Sequence, residues 1–114
     1  MKNLVIKVSS KDEIEIFTSV ICLGLLEVIK NEPHSVYESL CVFSSPYSMQ
    51  ILREKGVSEE LLTIINLLCE LDDVESIIPD KLDISIDNAK SRLIKFMSSL
   101  PRPPLPREHW IENN

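Results

Sequence analysis

Glycine, histidine and aromatic residues are scarce in this 114-residue chain, and each scarcity closes off a kind of chemistry. Two glycines, Gly24 and Gly56, cannot build a glycine-rich phosphate loop or a flexible linker. Histidine is the commonest general acid–base, yet His34 follows a proline in a turn and His109 lies in the terminal arm, so both read as surface residues. No serine sits in a Gly-x-Ser-x-Gly elbow, and no cysteine carries a hydrolase signature. At 5% aromatic residues the chain lacks the platforms of a sugar site and the interleaved rings that stack bases. Cys22, Cys41 and Cys69 are odd in number and each set among apolar neighbours, as buried reduced thiols of a cytosolic protein are. None has the clustered Cys or His partners that zinc needs, and Asp72, Asp73, Glu75 and Asp80 lack the glycine and alternating ligands of a calcium loop. The expectation is a non-enzymatic chain with no catalytic residue, cofactor or metal.

Long apolar runs are missing too. The longest, Val20 to Leu26, stops at Glu27, far short of the roughly 20 residues that cross a bilayer. The first eight residues carry Lys7 and no small-residue cleavage site, which reads as a cytoplasmic protein without a membrane span. What is present is the composition of a globule: 44% hydrophobic and 26% charged residues, enough for one core and too few residues for two.

The formal charge of −6 conceals a pattern. Between Glu59 and Asp87 nine acidic residues face Lys81 alone, whereas Lys90 to Arg107 carries five basic residues and no acidic one. The acidic stretch disfavours nucleic acid and favours a basic protein partner. Lys90, Arg92, Lys95, Arg102 and Arg107 could contact phosphates, but the larger acidic stretch repels the same polyanion.

Periodicity predicts a mainly α fold: a compact bundle of about five helices in residues 1–100, preceded by a short β or extended segment at residues 4–8 and followed by a Pro-rich arm, 101–114, packed on it. Ser10 and Glu13 form a capping box that opens a helix ending at Asn31-Glu32-Pro33. Ile14, Phe17, Ile21, Leu25, Val28 and Ile29 mark its inner face, Val20, Leu23 and Leu26 widen it so that the helix reads as the central buried one, and Gly24 implies a neighbour passing close. A second capping box at Ser35 and Glu38 predicts a helix to about Phe43. Pro46 starts a third, with Lys55 at its end and Gly56 as left-handed cap. Ser58 opens a fourth along Leu61, Ile64, Ile65, Leu68 and Leu71. Carboxylates at Glu70 to Glu75 suit a helix start, so a short helix capped by Asp72 or Asp73 is expected, ending at Pro79 with Ile77 and Ile78 turned inward. A last helix from Ser85 or Asp87 to about Ser99 buries Ile86, Ala89, Leu93, Phe96, Met97 and Leu100, leaving Lys90, Arg92 and Lys95 on the solvated side. The arm Pro101–Pro106 cannot continue that helix and is expected to pack through Leu105 and Trp110.

The segments Phe43-Ser44-Ser45-Pro46-Tyr47-Ser48 and Leu68 through Pro79 resemble a family of short bacterial proteins of uncharacterised function. There, a Ser-Pro-Tyr turn precedes a helix ended by glycine, and a Glu-Leu-acidic run leads to a proline. The likeness spans about residues 14–100 and implies fold more than function. In size, charge and helicity the chain also resembles the small acidic immunity proteins of contact-dependent and other polymorphic toxin systems. That resemblance implies a protein that binds and neutralises a cognate toxin domain, a nuclease above all, with Glu70, Asp72, Asp73, Glu75, Asp80 and Asp83 as the interface. The alternative is a non-catalytic adaptor or regulatory subunit using the same acidic face.

Overall fold

The computed structural model describes residues 2–31, 45–101 and 111–112. The expected helix at residues 35–43, Cys41, both histidines, Leu105 and Trp110 lie outside the described residues. The architecture is mainly α, as the periodicity predicts. Its elements are β1 (Val5–Ile6), α1 (Lys11–Asn31), α2 (Pro46–Glu54), α3 (Glu59–Cys69), α4 (Leu71–Ile77), a 3-10 turn (Pro79–Lys81), α5 (Leu82–Ser98) and β2 (Ile111–Glu112).

Local signals set most of the boundaries. Ser45 caps α2 by accepting from the Ser48 amide at 3.2 Å, and Pro46 occupies the first turn, where its missing N–H costs nothing. At the other end Gly56 adopts φ +86°. Its amide donates to Arg53 and that of Val57 to Leu52, both at 3.1 Å, the paired bonds of a left-handed helix stop. In α3 the predicted face is the buried one, with Leu61, Ile64, Ile65 and Leu68 inaccessible to solvent.

α1 has the predicted length but another orientation. Its buried line is Glu15, Thr18, Ser19, Cys22, Leu26 and Ile29, while Val20 and Val28 remain 45% and 43% exposed. Apolar residues surround this helix almost completely between Ile14 and Ile29, so composition fixes the period and leaves the phase open. The phase is set by Glu15. Its carboxylate is inaccessible to solvent and accepts from Lys11 Nζ and from the Ser58 amide, each at 2.8 Å, which ties α1 to the start of α3. Burial raises the Glu15 pKa, but the bonds from Lys11 and Ser58 outweigh it and hold the carboxyl below its ordinary value. Gly24 departs from expectation too, since a Cβ there would meet nothing within 4 Å among the described residues. Only half of the capping box forms: the Glu13 amide donates to Ser10 Oγ at 3.3 Å, whereas Glu13 Oε1 is buried without a hydrogen-bond partner.

The hub is α5 rather than α1, because α5 packs on α1, α3 and α4. It starts at Leu82, three residues before the predicted Ser85, since the turn led by Pro79 runs directly into it. Ile86, Ala89, Leu93 and Phe96 are buried as expected, and Met97 and Leu100 are half-buried. Lys90 and Arg92 are not on a purely solvated face: they reach Glu27 of α1 and Glu60 of α3, the latter at 2.9 Å. Lys30 Nζ lies 2.9 Å from Asp87 Oδ1 and adds a third pin between α1 and α5. Residues 4–8 yield a two-residue strand whose partner the sequence did not reveal: Val5 pairs with Glu112 and Ile6 with Ile111, antiparallel.

Candidate interaction surface

The short helix α4 follows α3 with a single residue between them. Glu70 caps the end of α3 and the start of α4 in right-handed helical geometry, and no side chain caps α4. Asp72 and Asp73 are therefore not its caps, as expected from sequence, but members of its first turn, where the helix dipole favours negative charge. The helix ends at Ile77, ahead of Pro79, with Leu71 buried and Val74 half-buried against the core. By spacing, Ile77 and Ile78 follow Leu71 and Val74 along the same stripe, but the helix stops there and Ile78 leaves helical geometry at φ −135°. They are 75% and 50% exposed, the reverse of the inward placement that their hydrophobicity suggested.

Ion pairing sorts the nine carboxylates of the acidic stretch. Its outer members are neutralised from other helices: Glu59 lies 3.9 Å from Arg53, Glu60 pairs with Arg92, and Asp87 with Lys30. Hydrogen bonding to Lys30 holds Asp87 below the usual carboxylate range. Among the six residues singled out from sequence, Glu75 is half-buried and already has an intramolecular partner. Glu70, Asp72, Asp73, Asp80 and Asp83 are exposed, and none makes an ion pair among the described residues, not even with the adjacent Lys81. All five lie between the end of α3 and the first turn of α5.

The structure brings part of this set together. Glu70 and Asp73, one helical turn apart, line a shallow cavity of about 310 Å³ with Val74, Ile77 and Ile78. Asp72, Asp80 and Asp83 lie outside that cavity, on the same α4-to-α5 segment. Sequence reasoning missed the apolar half of the surface, whose signal was the pair Ile77-Ile78 directly before a proline that shortens the helix.

Nothing else described offers chemistry. Cys22 and Cys69 are thiols, and burial pushes that of Cys22 up to about 12, which removes its nucleophilic form at neutral pH. Among the described residues no cluster of His, Cys, Asp or Glu could hold a metal ion, and no helix is long and apolar enough to cross a membrane. One family model, described as Protein of unknown function (DUF3969), matches residues 9–112. No curated protein and no solved structure matches the chain.

Proposed function

The chain belongs to that family, and because the family brings no activity with it, we propose from the surface alone that this is a non-catalytic protein-binding protein. In the specific form of the proposal it is a cytoplasmic immunity protein that binds and neutralises a basic cognate toxin. The observation that supports this reading is the block of five exposed carboxylates that make no ion pair among the described residues, in a protein whose other acidic side chains in the same stretch are paired. Neighbouring like charges repel one another, and a basic partner turns that repulsion into attraction and speeds the encounter. A toxin nuclease must present a cationic cleft to its polyanionic substrate, which is the complement of this surface. An adaptor or regulatory subunit would use the same face, and the identity of the adjacent gene product separates the two roles.

Co-expression with that gene product supplies the test. Wild-type chain is expected to co-purify with it and to restore growth to cells that make it. Reversal of Asp72, Asp73 and Asp80 to lysine, none of which makes an ion pair among the described residues, is expected to weaken association about tenfold or more, mainly through the on-rate. Unchanged affinity and salt dependence in that variant would sink the proposal.

A further inference from the structure

The face with the unpaired carboxylates also carries a groove. Leu67, Leu71 and Val74 follow one another at spacings of four and three, a stripe that continues through the helix break at Glu70. Across from them α5 presents Ser85 and Ala89, whose side chains are too short to fill the space, and a cavity of about 550 Å³ remains; Arg92 also lines it, with its charge held by Glu60 at 2.9 Å. Leu71 and Ala89 are buried in it, and Leu67 stands partly in solvent. Seven residues of helix make the stripe roughly 10 Å long, about two turns. Glu70 and Val74 also wall the smaller cavity over Ile77 and Ile78, so the two hollows adjoin along α4.

We propose that this groove docks a cationic amphipathic helix of a partner protein. Its apolar side chains sit over Leu67, Leu71, Val74 and Ile77, and its lysines or arginines meet Glu70 and Asp73. The inference rests on the protein-binding reading above and names the partner's chemistry. Two physical arguments select this occupant. The walls are helices whose backbone groups are already bonded, so an extended peptide would leave its amides unpaired, whereas a helix satisfies its own. A second copy of this chain would set Glu70 and Asp73 against the same carboxylates, and charge therefore favours a cationic segment over self-association.

A fluorescence-anisotropy titration of the full chain tests the proposal, with a labelled synthetic leucine–lysine amphipathic helix of about 18 residues as probe. The double variant Leu67→Gln/Ile77→Gln is expected to bind about tenfold more weakly with unchanged circular dichroism. Glu70→Lys/Asp73→Lys is expected to lose about tenfold and to flatten the salt dependence, while Glu54→Lys/Glu59→Lys, matched in charge but placed at the end of α2 and the start of α3, stays within about twofold. The groove is ruled out by wild-type binding in Leu67→Gln/Ile77→Gln, by equal binding of a same-composition peptide with no amphipathic order, or by a dimer that Leu67→Gln/Ile77→Gln dissociates. Each of these outcomes leaves the acidic-face reading intact, because that reading depends on growth rescue and its loss in the Asp72, Asp73 and Asp80 reversals.

Discussion

Removing the Glu15 carboxylate should show how much of the fold hangs on one long-range polar contact. The side chain is inaccessible to solvent and accepts from Ser58 N–H across 43 positions of sequence and from Lys11 Nζ. In Glu15→Ala the Ser58 amide loses its acceptor, a cost of about 2 kcal/mol for a covered donor. The Lys11 pair adds at most about 0.5 kcal/mol, because the lysine side chain is 51% exposed and water screens it. Lost packing of the buried side chain brings the total to about 3 kcal/mol, or roughly 10 °C in Tm for a chain of this size. Glu15→Gln keeps an acceptor for Ser58 but turns an amide toward Lys11, and should cost about 1 kcal/mol. Acid supplies a second reading. A carboxyl held below its ordinary value, 4.5, stabilises the fold fully above that pH and loses this contribution as pH falls through its lowered folded value. Urea melts followed by circular dichroism from pH 7 to pH 3 should therefore show wild type and Glu15→Gln converging on acidification. Parallel pH profiles, or a Glu15→Ala variant within about 0.5 kcal/mol of wild type at pH 7, would refute the reasoning.

Two further perturbations test local claims. Gly24→Ala should stabilise the protein by about 0.5–1 kcal/mol in urea melts, since the position is helical, exposed and open to a Cβ; a loss of stability would mean that something does pack against it. Ser45→Ala should cost about 1 kcal/mol through the lost cap on the Ser48 amide, and Ser45→Gly only a few tenths. Equal losses in the two variants would contradict the cap.

Features written in short stretches of sequence were the legible ones. Pro46 and Gly56 mark helix ends because caps and stops act over four or five residues; Ser58 stands at the start of α3 without a side-chain capping bond, and the face of α3 was readable because its apolar residues occupy one side. The phase of α1 was hidden for the opposite reason, and only Ser58, distant in sequence, singles out Glu15 as the residue that turns inward. At the candidate site the charge block was visible as composition. Which carboxylates stay unpaired depends on Arg53, Arg92 and Lys30, delivered by three different helices. The groove was invisible as well, because it arises where Ser85 and Ala89 happen to face Leu67 and Leu71 across a chain reversal. The β1 partner could not be foreseen from a two-residue strand with no periodicity to read.

The pairing of Val5 with Glu112 has a mechanical consequence. The chain enters the ribbon and leaves it at one and the same rung, so tension applied through the flanking residues peels the rungs singly, starting from Val5 and Glu112, instead of shearing both together. A zipper of this kind yields at low force and leaves the helices unloaded until it has opened. The same closeness lets a short linker join residues before Val5 to those after Glu112, so that new ends can be cut elsewhere in a circularly permuted chain.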